Sequence, residues 1–373
     1  MIYFDNAATT FPKPRYAIEE AERCIRTYGG NAGRGSHRLA LLAAERIYTC
    51  REQLASLFGV GAPERVIFTQ SATYALNLAL KGLLSPGDGV LHSELEHNAV
   101  VRPLHALQAI GVTAEAFPVV GLSQKQLLDG IEARIKPETK LLVCAHASNI
   151  CSLTLPLAEI GALCRRKGLL FVVDAAQSAG HLPIDMQAMH IDALAAPAHK
   201  GLLGLQGCGV LALGAGVLPR TMIEGGSGVD SRLREMPEAL PERYEAGTLP
   251  LPAIASLSGG LTFLTELGLD EVEKRQKQLF FAARERLHSL GDIEIYQEDA
   301  AGAVLLFQKR NVDATTVATL LDRQGICVRA GLHCAPLGHL ALGTPPGGAV
   351  RLSFGVFNTE AELDALWQAL KEM

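Results

Sequence analysis

The feature that most constrains this chain is a succession of short, almost unbroken apolar runs, several of them followed by a helical pattern. The runs are Arg65–Thr69 (RVIFT), Gly89–Ser93 (GVLHS), Lys140–Ala145 (KLLVCA), Leu169–Val173 (LLFVV), Asp192–Ala195 (DALA) and Gly209–Leu213 (GVLAL). None alternates regularly between apolar and polar, as a strand with one wet face does. Strands of this kind are buried on both faces, which calls for helices above and below a mostly parallel sheet. Helical patterns over Ala72–Leu83 and Pro156–Lys167 supply that cover, and Arg38–Leu57 reads as a further amphipathic helix. The core is expected at Val66, Ile67, Leu141, Val143, Val172, Val173 and Val210.

After Gly247 the texture changes. Pro250 and Pro252 punctuate the chain, and a long charged helical pattern runs from Ile254 to about Leu290. A smaller unit follows, with strands near Ala303–Gln308 and Gly325–Arg329 and a closing helix from Thr359. The expected organisation is a large α/β domain over 14–252 and a smaller α+β domain over 253–373, with the strand-like segment 1–13 packed on the smaller unit. A length of 373 residues accommodates both.

Composition excludes several classes of function. Lys plus Arg number 34 against 39 Asp plus Glu, a net charge of −5, so nothing electrostatic draws the chain to nucleic acid or to an anionic membrane. No apolar run approaches the ~20 residues of a membrane span, and MIYFDNAATT lacks the basic and apolar regions of a signal peptide. The 8 cysteines never form a CxxC pair, which argues against a disulfide scaffold or a zinc ribbon. A reducing, cytoplasmic setting is the expectation.

Ligands of open parallel sheets bind just beyond the carboxyl ends of the strands. After RVIFT, Gln70-Ser71-Ala72-Thr73 opens a helix, whose free N–H groups suit either a phosphate or a plain cap by Ser71 or Thr73. After LLFVV comes Asp174, costly at the end of a buried strand unless paired with an Arg, a metal or the protonated ring nitrogen of a cofactor. After DALA, Lys200 stands beside glycines in an apolar stretch. A desolvated lysine there suits a Schiff base with an aldehyde or an anion site. Neither GxxxxGK[ST] nor a GxGxxG after the first strand is present, which disfavours nucleotide and dinucleotide sites. His97 reads locally as structural, and His92 and His97 lack the HExxH spacing of a metal helix. Cys334 sits between Gly331 and Pro336 with Arg329 and His333 as neighbouring cations, either a favoured thiolate or an incidental loop thiol. Arg351, alone in the run AVRLS, needs an anionic partner, a substrate carboxylate or a structural acid.

Taken in order, the strings FDNAATT, GRGSHRL, TQSATYALNLAL, EHNAV, HASN, VVDAAQSAGHLPID, AHKGLLGLQGCGVL, YEAGT, VRAGLHCAP and VRLSFGVFNTEAELD resemble the class V, fold type I pyridoxal-phosphate enzymes. The resemblance is to the cysteine desulfurase and selenocysteine lyase branch, in its short-loop group. It implies a large domain with a mostly parallel seven-stranded sheet plus a smaller α+β domain. It implies that Lys200 holds pyridoxal 5'-phosphate through its amine and that Asp174 keeps the ring nitrogen protonated. Gln177 would reach the ring's phenolic oxygen, and His97 would stack on the ring and relay protons. Ala72 and Thr73 would bind the phosphate through backbone N–H groups, with His199 adding a side-chain donor. Thr248 would reach the phosphate in a neighbouring subunit, implying a homodimer. Asn149 and Arg351 would receive the amino-acid substrate, and Cys334 would take its sulfur.

The implied activity is removal of sulfur from L-cysteine to give L-alanine and a persulfide on Cys334, with an acceptor protein beyond it. Selenocysteine lyase, or another class V transaminase or Cβ lyase, is the alternative. Three departures from the family pattern stand out. Pro197 replaces a serine near Lys200, Ala72 a common threonine, and Leu332 the first histidine of a His-His-Cys string.

Overall fold

The computed structural model describes residues 1–33 and 35–373, so the GRGSHRL string lies partly outside the described residues, at Arg34. A seven-stranded sheet forms the centre. Across it the strands run Val66–Thr69, Gly209–Leu213, Ala193–Pro197, Leu170–Asp174, Thr139–Ala145, Gly89–Ser93 and Thr113–Phe117. Of the seven, Gly209–Leu213 runs against both its neighbours and the rest share one direction.

The apolar runs are continuous because successive residues serve different cores. Phe68, Leu142, Val173, Leu194 and Val210 face one apolar cluster with helices Arg38–Phe58, Leu157–Lys167 and Leu251–Leu267. Ile67, Leu141, Val143, Val172 and Leu211 face the other, with helices Ala72–Leu83 and Asn98–Gln108. Side chains that alternate across a pleat produce this division, and both faces are dry. All seven expected core residues are 0% exposed. The strand Thr113–Phe117 (TAEAF) was not among the expected ones. It is an edge strand with one buried residue, Phe117, so it has no apolar signature.

The second sheet is antiparallel, in the order Arg329–Gly331, Ala349–Ser353, Val304–Lys309, Ile293–Tyr296. Its core joins Phe307, Val350, Leu352 and Phe354 to Phe4, while Ile2–Tyr3 pairs in parallel with Ile326–Cys327. The pattern read as one helix from Ile254 is two helices, Leu251–Leu267 and Leu269–Ser289. Gly268 separates them at φ 83°, a conformation that glycine adopts without strain. The break lets Ile254, Leu257, Leu261 and Leu264 pack on the large sheet while Leu279, Phe280, Ala283 and Leu287 pack on the small one. The expected boundary at 252/253 falls inside the first of these helices. No helix among the described residues is long and apolar enough to cross a membrane.

Candidate active site

The site is built where the strands end. Val66–Thr69 feeds the helix Ala72–Leu83, capped by Ser71, whose hydroxyl accepts from Tyr74 N at 3.2 Å. Gly209 allows the close approach: a Cβ there would lie 2.4 Å from Ser71 C and 2.8 Å from Ala72 N. The helix N-terminus therefore sits directly against the end of the neighbouring strand, and its first residues, Ser71, Ala72 and Thr73, line the pocket. Ala72, Thr73, His97, Asn149, Asp174, Gln177, His199 and Lys200 all line this one pocket, with Pro197.

Lys200 follows Ala193–Pro197 in a turn strapped to the N-terminal segment. Thr10 Oγ1 donates to Lys200 O at 3.0 Å, and Thr9 Oγ1 and Lys13 Nζ donate to His199 O at 3.1 and 2.7 Å. Burial lowers the Lys200 amine to about 8; Arg351 and Arg329 push the same way, and Asp174 and Asp5 oppose them. Asp174 is 4% exposed and accepts from Ala176 N at 2.9 Å. Burial raises its carboxyl, and Lys200 offsets part of that. His97 caps the helix Asn98–Gln108, its Nδ1 accepting from Ala99 N at 2.9 Å. Burial and the nearby cations Lys200, Arg329, Arg102 and Arg351 hold His97 down to about 4, so near neutrality its proton is on Nε2. His199 is likewise held to about 4 by burial, Lys200 and Lys13, and its buried Nδ1 has no hydrogen-bond partner among the described residues. Gln177 Nε2 donates to Ala7 O at 3.0 Å.

Cys334 and Arg351 approach from the smaller sheet. Cys334 is exposed, in the turn between Arg329–Gly331 and the helix Pro336–Ala341, with Arg329 Nη2 4.0 Å from its Sγ. Its loop is tied to the pocket wall: Asn149 Nδ2 donates to His333 O at 2.7 Å, and Asn98 N to Cys334 O at 2.7 Å. Arg351 is 1% exposed; it donates to Asn149 O at 2.9 Å and to Asp5 Oδ1 at 2.8 Å, while its Nε has no partner among the described residues. Of the two anionic partners open to Arg351, a structural acid is present, Asp5 of the FDNAATT string.

Thr248 is not brought to this pocket. It lines a separate cavity with Asn31, Arg51 and Glu245. Sequence reasoning passed over Asp5, Lys13 and His181. His181 is held to about 4 by burial, and its Nδ1 is 3.1 Å from Gln177 O. Glu96, also not among the expected site residues, is fully buried beside the site, with Ala145 N donating to it at 2.8 Å. Its adjacency to His97 was the available signal.

The groups present suit a flat, anionic, aldehyde-bearing ring. They comprise an amine of lowered basicity, a buried carboxylate for a ring cation, a helix N-terminus and an unpartnered imidazole nitrogen for a phosphate. Residues 2–366 match the family model Aminotransferase class-V. The chain belongs to this family, and its fold is that of the fold type I pyridoxal-phosphate-dependent enzymes. It is similar to proteins named probable cysteine desulfurase in Methanothermobacter thermautotrophicus, 32% identical over 100% of this chain and 94% of the relative. A protein of that name in Halalkalibacterium halodurans is also 32% identical, over 100% and 93%. The solved apo cysteine desulfurase of Thermococcus onnurineus superposes with a TM-score of 0.91 at 29% identity, over 100% of this chain and 94% of that one. The S-sulfonic acid form of the Escherichia coli cysteine desulfurase CsdA gives 0.87 at 27%, over 99% and 94%.

Proposed function

We propose that this chain is a cysteine desulfurase that takes sulfur from L-cysteine, leaving L-alanine and a persulfide on Cys334. The observation that carries the reading is the tie of an exposed thiol to the Lys200 pocket, through Asn98 to Cys334 O and Asn149 to His333 O. A transaminase has no use for a thiol held there.

Pyridoxal 5'-phosphate, when bound, supplies an electron sink for charge left at the substrate Cα. Lys200 would hold it and would carry a proton at Nζ, a task suited to an amine lowered to about 8. Asp174 would offer its carboxylate to the ring nitrogen, a cation that would relieve the cost of burying the acid. Gln177 would donate its second amide hydrogen to the ring's phenolic oxygen. His97 would lie against the ring and exchange protons at Nε2, since Nδ1 is engaged by Ala99 N. The backbone of Ala72 and Thr73, with His199, would hold the phosphate, and Thr248 of a second copy would complete that hold in a homodimer. Arg351 binds the substrate carboxylate beside Asn149, with Asp5 yielding part of its hold. Cys334 as thiolate attacks the substrate sulfur. The Cβ–S bond breaks with its electron pair left on the substrate, which takes up protons and leaves as alanine. The persulfide then passes to an acceptor. Eight free thiols suit the reducing cytoplasm as the setting.

The test is alanine release from L-cysteine and L-selenocysteine side by side. C334A is expected to lose the first and K200A both. Undiminished cysteine turnover in C334A would sink the reading. Retention of selenocysteine turnover alone would mark selenocysteine lyase as the second activity, because a selenol ionised at neutral pH leaves with less help.

A further inference from the structure

Two buried polar residues behind the Cys334 loop have no place in the chemistry above. His339 is 2% exposed and His333 4%. His333 Nδ1 lies 3.1 Å from His339 Nε2, His333 Nε2 lies 3.2 Å from Arg329 O, and His339 Nδ1 lies 2.8 Å from Thr344 Oγ1. The ring planes are within 14° and the centroids 5.3 Å apart. That separation exceeds the N···N distance by nearly two ring radii, so the rings meet edge to edge, as a hydrogen bond between them requires.

The direction of these bonds follows from elementary rules. A carbonyl oxygen only accepts, so His333 Nε2 carries the proton facing Arg329 O. In the neutral ring His333 Nδ1 is then an acceptor, and the proton between the rings is on His339 Nε2. His339 Nδ1 is left to accept from the Thr344 hydroxyl, whose one proton has the nearer partner there at 2.8 Å and a second acceptor, His339 O, at 3.3 Å. This order satisfies all four ring nitrogens with both imidazoles neutral. The reverse order turns the lone pair of His333 Nε2 onto the Arg329 carbonyl unless a second proton is added. Burial and the Arg351 cation oppose that proton, holding His333 to about 3 and His339 to about 4.

The loop needs bracing. His333 and Cys334 have φ of 49° and 57°, a left-handed pair that non-glycine residues avoid. The ties from Asn149 and Asn98 reach only its main chain. We propose that Thr344, His339 and His333 form a one-directional hydrogen-bond relay that fixes the loop and positions Cys334 for sulfur transfer. All three act as positioning residues, and the inference rests on Cys334 being the sulfur acceptor.

The test uses the holoenzyme with T344V, T344S, H339A and H339Q, and C334A in parallel. Serine keeps the hydroxyl, and glutamine keeps a donor near the position of His339 Nε2. T344V and H339A are expected to lower kcat for alanine release by about tenfold or more, the scale on which small misplacements of a reacting group act. KM should stay within about twofold, because ground-state binding is untouched. T344S and H339Q should recover most of the loss. Nitrogen-15 imidazole shifts at pH 7 should show both parent rings protonated at Nε2. An unchanged kcat in T344V, or either ring protonated at Nδ1, overturns the relay. Full alanine release by C334A overturns the sulfur-acceptor reading instead, and the tautomers alone then decide the relay.

Discussion

If Lys200 holds the cofactor as proposed, capture of the aldehyde requires its neutral amine, so the rate against pH reports the environment of that amine. An ordinary lysine, at 10.5, is neutral in about one molecule in three thousand at pH 7. With the amine lowered to about 8, the neutral share is about one in ten, a gain of roughly 300-fold. Burial supplies most of the shift, Arg351 and Arg329 add to it, and Asp174 and Asp5 oppose it. The assay mixes apo-protein with pyridoxal phosphate and follows the absorbance of the bound form from pH 6 to 10. Nα-acetyl-lysine is run alongside, so that the cofactor's own ionisations cancel. The protein rate should climb about tenfold per pH unit up to about 8 and then flatten, while the model amine keeps climbing. D174N should move the bend to lower pH, since the carboxylate is what raises the amine. A protein profile that rises unbent through pH 9.5, or a bend that D174N moves upward, would refute the argument.

Glu96 is pushed up to about 8 by burial, so between its ordinary 4.5 and 8 the folded state holds a proton that the unfolded state releases. Stability must then fall as pH rises through that window, by at most about 1.4 kcal/mol per unit, and E96Q should remove the slope. Parallel thermal melts of the two proteins from pH 5 to 8 would contradict this. Arg51 and Glu245 form a buried ion pair, with Arg51 also donating to Val66 O and Glu245 Oε1 accepting from Phe68 N at 2.6 Å. R51M should cost about 3–5 kcal/mol in urea unfolding by stranding the carboxylate, and adding E245Q should return a good part of it. Equal losses in single and double variants would count against a coupled pair. G209A should weaken pyridoxal-phosphate binding by about tenfold or more in a fluorescence titration, because its methyl would displace Ser71 and Ala72. Parent-like affinity would show that the helix start does not matter to the phosphate.

Much of this architecture is legible in the chain because the physics is local. LLFVV and KLLVCA can only be strands covered on both sides, and the residues that follow them must face the ligand crevice. Asp174 and Lys200 announce themselves as charged groups where burial is enforced. What escaped is non-local. TAEAF becomes a strand because Gly89–Ser93 offers it an edge, not because of its own propensity. Gly268 breaks a helix whose charge pattern runs on, because the two halves address different cores. Asp5 reaches Arg351 across 346 residues of sequence, and His339 and Thr344 matter only once the chain folds them behind Cys334.

The departures from the family pattern acquire a physical meaning in this setting. Pro197 and Ala72 both line the pocket, so carbon stands where hydroxyl groups would otherwise donate. On the proposed reading the phosphate grip would shift onto groups that cannot be traded away by single side-chain changes, the backbone N–H groups of the helix start, and onto His199, whose buried Nδ1 has no partner among the described residues. Leu332 has a parallel effect on the other side of the site. It is 40% exposed next to the thiol, and Leu340, on the following helix, is 79% exposed. The polar side chain that does approach the thiol is Arg329, whose Nη2 lies 4.0 Å from Cys334 Sγ. Arg329 also supplies the carbonyl on which His333 Nε2 closes. One residue therefore contacts the sulfur with its side chain and closes the loop with its main chain, so the side chain can be varied without removing the loop's hydrogen bond to His333.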